Sequence, residues 1–208
     1  MARLVQIVLQ QPNLDGSAVQ FQYTIHGTQT IVSPVQADTG LDIGMDQTST
    51  DGVELDTGIV ACNPLAFTVG TDACYVKLRA SIADASGANP LFVGFRKLAA
   101  RAADYNDWTD FAVIGDYAGD IKIETALNNA VTVTTDTTDN WAEAATHTLE
   151  GYVSRAGVVT YKVDGAAPTT VAAFTFDTGD VIMPVVEFLH GADVAGAVVL
   201  SLFEAGAY

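Results

Sequence analysis

The stretch Trp141–Pro184, WAEAATHTLEGYVSRAGVVTYKVDGAAPTTVAAFTFDTGDVIMP, decides how the rest of the chain is read. Within it His147–Ser154 alternates. Leu149, Gly151 and Val153 take one face; Thr148, Glu150, Tyr152 and Ser154 take the other. A period of two marks a half-buried strand. Arg155-Ala156-Gly157 follows as a turn in which Gly157 is free to take positive φ. Val158–Val163 alternates again, and Asp164-Gly165 closes a second turn; Asp-Gly between alternating runs is a strong hairpin signal. Val171–Phe176 reads as a third strand, and Gly179-Asp180 as a third turn. The expected unit is a three-stranded antiparallel meander.

Working outward, short strands recur at roughly ten-residue spacing, as in two-sheet sandwiches. Met1–Leu9 and Leu14–Ile25 read as strands, the second with Val19, Phe21, Tyr23 and Ile25 on one face. Residues 27–58 are rich in Thr, Ser, Asp, Gly and Gln and read as an irregular arm. Further strands are expected at Val53–Leu55, Ala66–Val69, Tyr75–Ile82, Leu91–Arg96, Phe111–Asp116, Ile121–Ala126, Ala130–Thr135, Val185–Leu189 and Val198–Phe203. Asn128-Asn129 sits between two of these as a hairpin turn. Lys97–Ala103 (KLAARAA) is the one good local helix former. The expected fold is all-β, an antiparallel two-sheet jelly-roll sandwich. Residues 1–52 form an N-terminal arm and residues 53–208 the sandwich domain.

Composition narrows the functions. Apolar residues make up 49% of 208 residues, enough for a sizeable core. Lys and Arg number 9 against 25 Asp and Glu, a formal charge of −16. That balance argues against a nucleic-acid partner, which needs a basic footprint, and against an anionic membrane surface. No run has the apolar length to cross a bilayer as a helix, and Met1–Gln10 lacks the pattern of a signal peptide. Cys62 and Cys74 belong to no CxxC or Cys/His cluster, so a zinc site of that kind is not expected. They read as two buried small hydrophobes rather than as a pair across a hairpin.

The ordered segments HTLEGYVSRAGVVTYKVDGAAPT, FTFDTGDVIMP and the closing FEAG, with Trp141 ahead of them, resemble the laminin-G-like, concanavalin-type jelly roll. Together with GFRK at Gly94–Lys97, GDIKIET at Gly119–Thr125 and TVTTDTTDNW at Thr132–Trp141, they are similar to jelly-roll structural proteins of tailed, especially marine, bacteriophages. The resemblance covers roughly residues 66–205. It implies a virion component, assembled in the host cytoplasm. The expected role is capsid decoration (cement): binding the major capsid protein or other virion proteins, as a homo-oligomer such as a trimer. The alternative it implies is a glycan-binding, lectin-like module on a head fibre or tail, mediating host attachment. The loops Ala83–Pro90 and Asp104–Thr109 would then form its mouth.

Each pattern with catalytic precedent has a plainer reading. Asp38, Asp56 and Asp177 each begin an Asp-Thr-Gly triplet; aspartic proteases use two such triplets to share a proton, but the triplet is also turn chemistry. Retaining glycosidases need two carboxylates about 5 Å apart; Glu150, Glu187 and Glu204 are each alone on their strands. Asp104, Asn106, Asp107 and Asp110, and likewise Asp136 and Asp139, are oxygen-rich but lack the spacing of a Ca²⁺ loop. His26, His147 and His190 have no nucleophile pattern around them, and no GxSxG elbow or phosphate-cradling loop occurs. Trp108 and Trp141 read as core-edge packing rather than sugar platforms. The expectation is no catalytic residue, no bound cofactor and no metal, with Ca²⁺ the sole cofactor weighed.

Overall fold

The computed structural model describes residues 22–27, 36–37, 40–44, 51–56, 65–99, 102, 104–191 and 195–208. The expected strand Met1–Leu9 and Cys62 lie outside them. The described residues form an all-β sandwich with only two short 3-10 turns, Ala85–Gly87 and Tyr105–Asp107. One sheet is built from β1 (Gln22–His26), β4 (Gly52–Asp56), β13 (Val181–His190), β7 (Ala88–Lys97), β8 (Phe111–Tyr117), β9 (Asp120–Ala126) and β10 (Val133–Asn140), in that order, with β5 (Phe67–Thr68) also pairing β13. The other runs β12 (Val159–Val163), β11 (Thr146–Val153), β6 (Cys74–Ile82), β14 (Val198–Ala207), β3 (Gly40–Asp42) and β2 (Gln36–Ala37). Every pairing is antiparallel. β1, β2 and β3 thus hydrogen-bond into the two sheets from ahead of Gly52.

The alternation in the sequence becomes the core. On β6 the side chains of Cys74, Val76, Leu78, Ala80 and Ile82 are buried, with Tyr75, Lys77, Arg79 and Ser81 between them facing outward. They meet Leu91, Val93 and Phe95 of β7 and Val186 and Phe188 of β13 in one apolar cluster. Burying each such side chain contributes roughly 1.5–3 kcal/mol. The eight-stranded sheet is covered on its outer face too. Phe92, Phe111, Val113, Tyr117 and Val185 point outward, and Trp108 and Tyr105 fold down onto them. This second cover is why LFVGFR reads as a continuous apolar run instead of an alternating one.

The turns follow their residues. Asp164 and Gly165 have φ of 51° and 83°, and Asn128 and Asn129 have 55° and 60°. Asp164-Gly165 makes the two-residue turn that suits the strand twist, closed by Val163 and Ala166, whereas Asn128-Asn129 bends back within the longer connection 127–132, where the Ala130 N–H donates to Leu127 O. Two expectations need correction. Val171–Phe176 is not a regular strand: only Val158↔Thr175 forms a bridge. Its side chains do alternate, Phe176 buried and Phe174 half-buried. Its backbone, however, meets β12's flank through just two bonds, Val159 N to Phe174 O and Phe176 N to Gly157 O. The expected helix at Lys97–Ala103 is absent from its described residues. Lys97 ends β7, and the Leu98 N–H donates to Val181 O. The Arg96 guanidinium takes the carbonyls of Lys97 and Ala99. Those carbonyls would otherwise begin a helical ladder, so tertiary bonds override local propensity.

Candidate functional site

The sheets end on the same side in edge strands, β10 on one and β12 on the other. An open cleft of about 430 Å³ lies there, lined by Ile121, Thr138, Asp139, Asn140, His147, Val163, Asp164, Ala166 and Ala167. That volume falls in the range of small-ligand sites, roughly 300–1,000 Å³. One wall is shaped by a bulge: the β10/β9 register shifts between Asp136 and Asn140. Within it Thr138 takes φ of 64°, held by its N–H donating to Asp136 Oδ1 at 2.8 Å. A β-branched residue in the left-handed region is strained by roughly 1–2 kcal/mol. Bulges and strained residues recur where a strand must aim side chains at a ligand. Here the bulge brings Asp139 and Asn140 to the cleft.

The opposite wall comes from the hairpin that the sequence made legible. Pairing of β11 with β12, Leu149 opposite Val163, sets Asp164 beside Thr148, where it accepts from the Thr148 N–H at 2.8 Å and meets His147 Nδ1 at 2.8 Å. Burial pulls the Asp164 carboxyl upward, but the Thr148 N–H and the imidazole together hold it below its ordinary value. A carboxylate only accepts, so Nδ1 of His147 carries the proton. The ring packs edge-on to Trp141, centroids 4.8 Å apart. Asp139 accepts from the N–H and hydroxyl of Thr169. Val163, Ala166, Ala167 and Ile121 supply apolar surface. The cleft thus combines fixed acceptors and an amide with an apolar floor.

A second charged group is sealed. On the outer face of the eight-stranded sheet, Glu187 of β13 lies directly opposite Glu54 of β4. Arg96 Nη2 reaches Glu54 Oε1 at 3.1 Å and Asp56 Oδ2 at 3.6 Å; all three side chains are 1% exposed. The guanidinium lies 5.2 Å from the Trp108 ring centre. His26 Nε2 is 2.9 Å from Glu187 Oε1. Glu187, alone on its own strand, gains a partner that no local spacing could reveal.

The remaining candidates are placed as follows. Asp38 lies outside the described residues. Asp56 faces Arg96, whereas Asp177 accepts from the Asn128 amide, so these two triplets serve different partners. Glu150 and Glu204 each accept a short hydrogen bond from a tyrosine hydroxyl, of Tyr152 and Tyr75 respectively. With Tyr208 these tyrosines form a cluster on the six-stranded sheet's outer face, ring centres 5.8–6.5 Å apart. The sequence reading missed that row. In the loop Asp104–Asp110, Asp104 caps Asn106, while Asp110 pairs with Lys97 and the Asn128 N–H. Neither this loop nor Ala83–Pro90, the expected mouth, lines the cleft. His190 accepts from the buried Ala195 N–H. Trp108 and Trp141 are both buried, and Cys74 sits in the core, its thiol pushed up by burial and by Asp72.

No protein family matches the chain, and no curated protein matches it in sequence. Solved structures do match in fold. A metal-free form of lectin I-B4 from Griffonia simplicifolia superposes with a TM-score of 0.62 at 8% identity, covering 98% of this chain and 99% of that one. The potassium-bound Emp46p carbohydrate recognition domain gives 0.60 at 7% identity, covering 90% and 88%. An alginate lyase from Corynebacterium sp. gives 0.51 at 10% identity, covering 77% and 70%. The fold is therefore a concanavalin-like, lectin-like jelly-roll sandwich.

Proposed function

We propose that this chain is a glycan-binding module and that the sugar sits in the β9–β12 cleft. The observation that carries the reading is the bulged wall, where strained Thr138 sets Asp139 and Asn140 opposite His147 and Asp164. Pairs of sugar hydroxyls can donate to carboxylates and accept from an amide. The C–H face of a pyranose suits Val163, Ala166 and Ala167. The carbohydrate recognition domain and the lectin among the fold matches support the same class of ligand.

The capsid-decoration role takes second place. It is favoured by Val131 and Val133 beside the β10 edge, 88% and 57% exposed, since an apolar edge invites another protein. On a virion, the glycan reading corresponds to host attachment. We also propose binding without turnover. Glu54 and Glu187 are as close as a retaining carboxylate pair, but both are sealed from substrate.

A glycan array followed by calorimetry tests the proposal. The wild type should retain at least one glycan, and Asn140→Ala should weaken it tenfold or more with unchanged melting. An empty array, or full affinity in Asn140→Ala, would overturn it.

A further inference from the structure

We propose that His26, Glu54 and Glu187 form a site for one divalent cation, best suited to Zn²⁺ or Mn²⁺. The three side chains come from adjacent strands, β1, β4 and β13. Their ligand atoms all lie within 4.8 Å of one another. The β4/β13 register makes Glu54 and Glu187 a directly opposed pair on one face, each 1% exposed. Like charges directly opposite destabilise a sheet, and burial removes the water that would screen them. Among the described residues, this face brings Glu54 and Asp56 to the guanidinium of Arg96, with Glu187 directly opposite Glu54. A dication between Glu54 and Glu187 turns that crowding from repulsion into coordination.

The donor set selects the ion. Imidazole nitrogen with carboxylate oxygen suits Zn²⁺, or Mn²⁺ in a more oxygen-rich shell. Ca²⁺ asks for six to eight oxygens and fits less well. Ligand bonds of roughly 2.0–2.2 Å set donor atoms about 3–3.5 Å apart, so the His26–Glu187 contact of 2.9 Å would open slightly while any wider donor spacing would draw in. Arg96, bonded to Glu54 and to the carbonyls of Lys97 and Ala99, would orient one ligand from behind. His26, at 13% exposure, marks the side nearest solvent. The cleft strands β9–β12 contribute nothing here, so the inference stands apart from the glycan proposal.

Calorimetry on the full, EDTA-treated chain with Zn²⁺, Mn²⁺ and Ca²⁺ in turn tests it, alongside thermal melting. One Zn²⁺ or Mn²⁺ per chain is expected, tighter than Ca²⁺. At a hundredfold excess over Kd the melting temperature should rise by roughly 5–10 °C. His26→Ala and Glu187→Gln should each weaken binding at least tenfold. If Glu187→Gln fails to fold, His26→Gln, at the more exposed position, carries the comparison. A folded wild type that takes up neither Zn²⁺ nor Mn²⁺ would overturn the site. So would an ion held equally well after His26→Ala.

Discussion

Two carboxylate–histidine groups sit at opposite extremes of this molecule. Asp164 and His147 face an open cleft, their side chains 52% and 19% exposed. Glu187 and His26 make a contact of nearly the same length beneath a closed surface, with Glu187 at 1%. The chemistry of the side chains is alike, and water separates their roles. The open pair can exchange solvent for the hydroxyls of a sugar. The sealed one can admit nothing larger than an ion, and Arg96 already meets two of its carboxylates.

The sharpest way to break that comparison is to remove the balancing cation. Arg96→Ala leaves Glu54 and Asp56 as buried carboxylates without their guanidinium and should cost about 3–5 kcal/mol. His147→Ala, at the open group, should cost less than about 1 kcal/mol. Urea unfolding measures both, and equal losses would erase the distinction.

Acidity sharpens it next. Asp116 on β8 is buried; burial first, then Asp120 and Glu143, push its carboxyl up to about 8 against the opposing Gly119 N–H. The folded chain therefore keeps a proton between about 4 and 8 that the unfolded chain has lost. Stability should fall as pH rises through that window and level off above it. Asp164 has the opposite sign: its folded carboxyl is held low, so its contribution is present above its unfolded value and lost on acidification. Asp116→Asn should flatten the decline between about pH 4 and 8, read as melting temperature against pH. An unchanged slope would reject the assignment.

The smallest effect belongs to the cleft itself. Asp164→Asn keeps the side chain's shape but weakens the charge-assisted bonds to Thr148 and His147. Melting should move by a few degrees at most, while affinity for a captured glycan drops about tenfold. A large melting shift with intact affinity would make Asp164 a turn residue and nothing more.

These two groups also mark what could be read from the chain alone. The open one was half legible. Arg155-Ala156-Gly157 announces a tight hairpin, and its β11/β12 pairing fixes Thr148 and His147 beside Asp164, because the constraint is local. The bulge at Thr138 was not legible: TVTTDTTDN alternates smoothly, and only its ladder with β9 shows the two extra residues. The sealed group was invisible for a different reason. His26, Glu54, Arg96 and Glu187 are distant in sequence, and only the strand order β1-β4-β13-β7 makes them neighbours. Sheet order is set by packing, which no short spacing encodes. Val171–Phe176 shows the reverse error, since side-chain alternation persisted there without a regular ladder. Lys97–Ala103 failed because β7 and Arg96 claim its first backbone groups.

Amide chemical-shift mapping with a glycan captured on the array addresses the central claim most directly. Binding at the cleft predicts the largest shifts at Thr138–Asn140, Thr146–Thr148 and Val163–Ala167, with the β1/β4/β13 face unmoved. Shifts concentrated instead around Tyr75, Tyr152 and Tyr208, or on the outer face of the eight-stranded sheet, would contradict the account.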